Sequence, residues 1–392
     1  VTVRNGDERH LDIVAKGNEK VLRARLADAK FFYEEDQKLP IDTALARLET
    51  VVFHEDLGTV GDKVRRIRSI AEKIARLLQV DETVQNDVAR AAAICKFDLV
   101  TQMVYEFPEL QGVMGEDYAR KAGEKEAVAR AVFEHYQPRF SGDSSPVSLI
   151  GAIVSMADKI DTIVGCFSVG IIPTGSQDPY ALRRQAAGIV QILLDHGLKC
   201  TLTELFDTAL KVHKQANTLK RDENKVRNDL RDFFALRIKH VLSEKVRYDV
   251  ADAVMASGFD DVPSTVRRAE ALMEQLNNEE LKPVIESFNR VINLAGKAEG
   301  QPVRPELFKE QVERELYETW NGLHAEYLNL LNRRREAEAL RLLGTLKEPI
   351  NRYFDTVMVM VDDPNVRGNR LATLHHISED LQTFAVFPKI VW

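Results

Sequence analysis

The segment from Asp158 to Gly188, DKIDTIVGCFSVGIIPTGSQDPYALRRQAAG, constrains the chain more than any other stretch, because it sets two helices around a loop that cannot be helical. Upstream of the loop, Leu149, Ile153, Met156, Ile160, Ile163 and Phe167 recur at steps of three and four residues. This is one apolar stripe of an α-helix, and it leaves Asp158, Lys159 and Asp161 off the stripe. Gly170 to Gln177 then brings two glycines and a proline together with Thr174 and Ser176, which calls for a shaped turn. Asp178 followed by Pro179 reads as an N-cap with proline at the first helical position, so that Tyr180, Ala181, Leu182, Arg183 and Arg184 begin the next helix. Arg183 and Arg184 thus sit early on a helix beside a glycine-containing loop. That arrangement suits either a grip on RNA backbone phosphate or a pin for the loop through a carboxylate such as Asp158 or Asp161.

The rest of the chain repeats the helical period. Val64, Ile67, Ile70, Ile74, Leu77 and Leu78 lie at helical spacing within Asp62–Leu78, and Val84–Phe107 reads as one nearly continuous helix that Pro108 stops. Only the first residues differ: Thr2–Val14 alternates weakly around Asn5-Gly6 and reads as a small hairpin. The helix Glu19–Glu35 follows, with Val21, Leu22, Leu26, Ala29 and Phe32 on one side. A length of 392 residues favours two or three domains. No run of 18 apolar residues is present, and VTVRNGDERH is not a signal peptide. The start at Val1 in mid-domain sequence suggests the C-terminal part of a longer subunit. Cys95, Cys166 and Cys200 form no CxxC, which points to a reducing cytoplasm and away from zinc.

A net charge of −7 excludes a generally basic nucleic-acid binder and leaves local patches. Between Lys211 and Val250, 11 Lys and Arg stand against 6 Asp and Glu, with Arg221, Arg227 and Arg237 among them. This is either a solvated helical face or a surface that tracks phosphates.

PTGSQDPYALRR, with its upstream helix, resembles the central signature of the bacterial glycyl-tRNA synthetase beta subunit. Further blocks agree in order: GNEKVLRARLADAKFFYEED at Gly17–Asp36, FHEDLGTVGDKVRRI at Phe53–Ile67, KFDLVTQMVYEFPELQGVMG at Lys96–Gly115 and RYFDTVMVMVDDPNVRGNRLATL at Arg352–Leu374. The order of helices also resembles the HD superfamily, whose metal-dependent members converge two histidines and two aspartates on divalent cations. Here no histidine stands near Asp62 and Lys63, and Lys96 and Phe97 replace the expected His-Asp pair. Asp158 matches the last ligand and Asp98 is a remnant, so no metal is expected.

The resemblance implies a mainly α fold: residues 1–45 as the remnant of a partly β domain, 46–205 as an HD-like helical domain, 206–282 as a basic helical connection, and 283–392 as a DALR-like anticodon-binding bundle. In that bundle the RNA-binding residues expected are Arg290 and Asn293, Tyr353 and Phe354 as stacking platforms, and Arg367, Asn369 and Arg370 as hydrogen-bonding readers. Phe354, Val357 and Met358 at helical spacing also suit a core, and Arg370 beside Asp362 and Asp363 also suits a closed turn. The resemblance further implies tRNA(Gly) and an alpha subunit as partners in a cytoplasmic aminoacyl-tRNA synthetase, with ATP and magnesium used on the alpha subunit and no cofactor or catalytic residue in this chain. The alternatives are an HD-type phosphohydrolase with an RNA-binding tail and a helical scaffold that only assembles proteins.

Overall fold

The computed structural model describes residues 6, 8–276 and 281–392, and these are mainly helical. They form two compact units, one of residues up to Cys200 with Glu204–Leu230, the other of Thr201–Thr203 with Arg231–Trp392. The division falls within the helix Glu223–Ser243, inside the stretch read as a connection.

In the first unit the helix Leu149–Ser168 is central. The helices Val60–Leu77, Glu82–Ile94, Glu126–Glu134 and Leu182–Asp195 all pack on it. Surrounded in this way, it buries every residue from Ile150 to Ser168, including Asp158, Lys159 and Asp161, which the apolar stripe alone would leave outside the core. Ser148 caps its start by accepting from the Gly151 amide at 2.9 Å. Glycines let the neighbours close in. A Cβ on Gly188 would lie 3.0 Å from Lys159 Cε, and one on Gly165 would lie 2.9 Å from His213 Cε1.

Three local expectations are corrected. The N-terminal hairpin does not form over its described second half, because Leu11–Asp36 is one helix running through Gly17; residues 1–5 and 7 lie outside the described residues. Val21, Leu22 and Leu26 are exposed, and the helix meets the rest of its unit near its end, where the Asp36 carboxylate accepts from the Gln102 and Met103 amides. Among the described residues the one sheet is a short antiparallel hairpin of Val52–His54 and Gly58–Thr59. The expected continuous helix Val84–Phe107 breaks after Ile94 into a 3-10 turn, Phe97–Val100, and a short helix, Gln102–Glu106. There Thr101 Oγ1 donates to the Asp98 carbonyl at 2.7 Å and accepts from the Val104 amide, which ends one segment and starts the next.

In the second unit, Leu281–Ala295 packs on Pro364–Phe384 and Lys347–Thr356, while Gln311–Asn332 packs on Glu336–Gly344 and Lys347–Thr356. The Asp380 carboxylate accepts from Trp320 Nε1 at 2.8 Å and meets His324 Nδ1 at 2.7 Å, and its backbone carbonyl accepts from the Tyr327 hydroxyl. The expected turn Asp362–Asn365 is the start of a helix: Asp363 accepts from the Asn365 and Val366 amides and Pro364 occupies the first position, so the helix begins six residues before Arg370.

Candidate functional site

At the positions that the resemblance to HD proteins would give to metal ligands, this chain seats ammonium and guanidinium groups. Lys63 Nζ lies 3.0 Å from Asp158 Oδ1 and 3.0 Å from Asp161 Oδ2, and Lys96 Nζ lies 2.6 Å from Asp158 Oδ2. Arg66 Nε donates to Asp161 Oδ1 at 2.7 Å, and His213 Nε2 lies 3.2 Å from the same oxygen. All six side chains are buried, together with His135, whose Nε2 is 4.0 Å from Asp158 Oδ2. Burial opposes the charge of Asp158, but Lys63 and Lys96 outweigh it and hold the carboxyl well below the usual range. Asp161 is lowered in the same way, against burial, by Lys63, a His213 hydrogen bond and Arg66. Burial and the Lys96 charge push His135 well below its ordinary value, which keeps the imidazole neutral.

This donor set does not suit a divalent cation. The carboxylate lone pairs that would bind it are taken by fixed cations, and a metal ion would have to displace or deprotonate them. Asp98 does not point at Asp158. Its Oδ2 accepts from the Gly112 amide at 2.6 Å, and burial raises its carboxyl to about 6. Phe97 is core.

Beside the network lies a cavity of about 380 Å³. Its walls carry Lys63, Lys96, Lys159, Arg139, Arg184 and Asp158, with the rings of Phe53, Tyr136 and Tyr180. Lys96 stands 4.1 Å from the centre of the Tyr136 ring and Lys63 4.9 Å from that of Phe53, which are cation–π distances. Burial lowers Lys159 to about 7; its Nζ donates to the Gln137 carbonyl and Ser155 Oγ and has no ion-pair partner among the described residues.

The segment that follows the loop, with Tyr180, Ala181 and Arg184, lines this cavity. Gly170 and Gly175 take positive φ, and Thr174 and Gln177 pair across a tight turn. The next helix starts at Leu182, not after Asp178, yet Asp178 still caps it by accepting from the Leu182 and Arg183 amides at 2.7 and 3.0 Å. This holds Ala181, on the cavity wall, at φ 51°, a strained conformation for alanine. Pinning of the loop by Arg183 or Arg184 through Asp158 or Asp161 does not occur, because both aspartates are taken. Arg184 is exposed, and neither arginine has an ion-pair partner among the described residues.

Three arginines of the basic stretch are engaged by other groups of the chain. Arg221 bonds Asp229 and the Phe167 carbonyl, Arg227 bonds Asp207 and Glu223, and Arg237 lies over the Phe233 ring and donates to the Phe233 carbonyl. This is a salt-bridged helical face.

In the C-terminal bundle the expected RNA residues separate. Tyr353 is buried, Asn369 exchanges two hydrogen bonds with the Arg304 backbone at 2.6 and 3.0 Å, and Arg370 makes a buried bidentate pair with Glu313 and donates to the Met358 carbonyl. These three support the fold instead of facing RNA. Arg367 is half-buried and ties the Val361 carbonyl. Arg290 and Asn293 are exposed on one helix, with the Arg290 guanidinium 4.4 Å from the centre of the half-buried Phe354 ring.

Residues 1–256 match the family described as "Glycyl-tRNA synthetase beta subunit". The chain belongs to that family. It is 50% identical over 394 residues to the glycine–tRNA ligase beta subunit of Halalkalibacterium halodurans, covering 100% of the chain and 57% of that relative. Its identity to the Bacillus subtilis beta subunit is 47% over 386 residues, covering 98% and 55%. With that of Desulforamulus reducens it shares 44% over 392 residues, covering 100% and 56%. The chain therefore spans a little over half the length of these beta subunits.

Within this beta-subunit family member, sequence reading missed Lys63, Arg66, His135 and His213. Asp161 lies 98 residues from Lys63 and 52 from His213, and no local pattern joins them.

Proposed function

We propose that this chain is the tRNA-recognising part of the beta subunit of glycine–tRNA ligase, an aminoacyl-tRNA synthetase. It works with a separate alpha subunit, where glycine is joined to tRNA(Gly) with ATP and magnesium. The observation that carries the reading is 50% identity along the whole chain to a beta subunit of that name. The lysine-filled aspartate pair supports a scaffold in the HD-like region, and nothing favours a phosphohydrolase.

In this reading the surface of Arg290, Asn293 and Phe354 meets splayed bases of the anticodon. The guanidinium already stacked on Phe354 presents a flat face with forked donors, and Asn293 both donates and accepts. The buried Tyr353 ring stands edge-on to Phe354, with centres 5.4 Å apart. Among the described residues no helix is long and apolar enough to cross a membrane.

Removing residues 283–392 would cut through the unit that begins at Arg231, so point variants are the proper test. Binding of tRNA(Gly) and of an anticodon-substituted tRNA is measured for the 392-residue chain and for Arg290→Ala and Asn293→Ala. Loss of a base reader is expected to cost about 1–3 kcal/mol and to relax discrimination, whereas loss of a phosphate contact weakens both RNAs alike and lowers the salt slope by about 1. Absence of salt-dependent tRNA affinity in the unaltered chain would refute the reading.

A further inference from the structure

The cavity beside the aspartate pair carries more positive charge than its own carboxylates answer. Five basic side chains line it, Lys63, Lys96, Arg139, Lys159 and Arg184, against the one carboxylate of Asp158. The nearest other carboxylates are already engaged: Asp98 accepts from the Gly112 amide, and Asp143 accepts from the Arg139 and Ser144 amides. Lys63, Arg66 and Lys96 spend their charge on the two aspartates. Lys159, Arg139 and Arg184 do not.

These three are placed to receive an anion from one side. Lys159 is fixed by the Gln137 carbonyl and Ser155 Oγ, on a helix that cannot shift. Arg139 is held by the Gln111 carbonyl at 2.8 Å and by the Phe133 and Tyr136 rings, and its buried Nε has no hydrogen-bond partner. Arg184, exposed, stands where the cavity reaches solvent. The amides at the start of its helix are already capped by Asp178, so the positive potential comes from side chains. An unpartnered buried donor next to basic side chains that no carboxylate pairs favours a ligand with several acceptor oxygens.

The walls also select shape. Phe53 and Tyr180 stand with ring centres 5.8 Å apart, at an interplanar angle of 56°. The volume of about 380 Å³ falls in the range of small-molecule pockets, roughly 300–1,000 Å³.

We propose that this cavity binds a phosphorylated nucleoside, with the phosphate held by Lys159, Arg139 and Arg184 and the ring against Tyr180 and Phe53. The lysines that close the aspartates to a metal thereby help to make the site attractive to the phosphate itself. The same chemistry is offered by a free mononucleotide and by the terminal nucleotide of an RNA strand. The site is separate from the Arg290 surface, and a chain that fails to bind tRNA can still bind here.

The test titrates the 392-residue chain at low ionic strength with adenosine 5′-monophosphate, with adenosine, and with a short single-stranded RNA ending in adenosine. Saturable binding of the monophosphate or of the RNA is expected, and none of adenosine. Arg184→Ala and Lys159→Gln should each weaken it by roughly tenfold to a hundredfold, the worth of one charge-assisted hydrogen bond. Arg120→Ala, at an exposed pair with Glu116 and Glu126, should leave it unchanged. Binding of the monophosphate identifies a free nucleotide as sufficient; binding of the RNA alone, with the same dependence on Arg184, identifies a strand end. Arg290→Ala separates this from the anticodon reading, since it should weaken tRNA and leave the monophosphate untouched. If Lys159→Gln does not fold, Arg184→Ala, at the surface, decides. The proposal is overturned if neither phosphate-bearing probe saturates, if adenosine binds as well as its monophosphate, or if Arg184→Ala leaves binding unaltered.

Discussion

Replacing Asp161 by asparagine tests the energetic centre of the first unit. The side chain is fully buried and answers Lys63, Arg66 and His213 at 3.0, 2.7 and 3.2 Å. Asparagine keeps the shape but removes the anion, and its amide adds a donor where two cations already need acceptors. Lys63 then relies on Asp158 and Thr162 alone, and Arg66 on the Leu57 carbonyl. Removing one partner from a buried ion pair costs about 3–5 kcal/mol. For a unit of this size each kcal/mol lowers the melting temperature by roughly 2–4 °C, so a fall of about 6–20 °C is expected. The assay is thermal and urea unfolding followed by far-UV circular dichroism, with tryptophan fluorescence in parallel. Both tryptophans, Trp320 and Trp392, belong to the second unit, so the pair of signals identifies which unit has weakened. Arg65→Ala is the reference. Its pairs with Glu49 and Asp62 are exposed and are worth about 0–1 kcal/mol. A loss for Asp161→Asn no larger than that of Arg65→Ala would refute the argument that burial makes this network decisive.

Three further outcomes follow from the same geometry. Asp158 and Asp161 are both held below the ordinary carboxylate value of 3.8, so the folded chain binds fewer protons than the unfolded one; their contribution is complete above that value and is lost as pH falls below it. Urea midpoints should therefore drop on the acid side, and less steeply in Asp161→Asn than in the parent chain. Lys159 acts with the same sign at higher pH: lowered from 10.5 to about 7, it is protonated in the unfolded chain and neutral in the folded one between these values. Stability should then gain about 1.4 kcal/mol per pH unit across that window from this group, and Lys159→Met should remove the gain. Gly115→Ala would set a Cβ 2.7 Å from Val132 Cγ1 and 2.9 Å from Asp98 Oδ2, and overpacking of this kind should cost about 1–3 kcal/mol in the same unfolding assay.

Helical periodicity made most of the architecture legible. Ile67, Ile70 and Ile74 are fully buried, as their spacing requires, and so are Ile153, Met156, Ile160, Ile163 and Phe167 on the central helix. The family strings also sufficed to identify the chain, because a string is a local object. The candidate RNA surface was legible only in part. Arg290 and Phe354 meet as a stacked pair, whereas Asn369 and Arg370, drawn from the same family block, turn inward to Arg304 and Glu313, partners 65 and 57 residues away.

By itself the sequence determined most of the helices and the apolar face of the long buried ones, because the period of 3.6 residues is set by neighbours in the chain. It placed Lys96 and Phe97 where the HD resemblance would expect metal ligands. What became of those charges was decided by the tertiary structure alone. Whether a lysine is solvated, paired or left facing a cavity depends on which distant groups share its low-dielectric surroundings. Lys63 and Lys159 occupy similar helical positions in one dimension, and only packing gave the first two carboxylates and the second none.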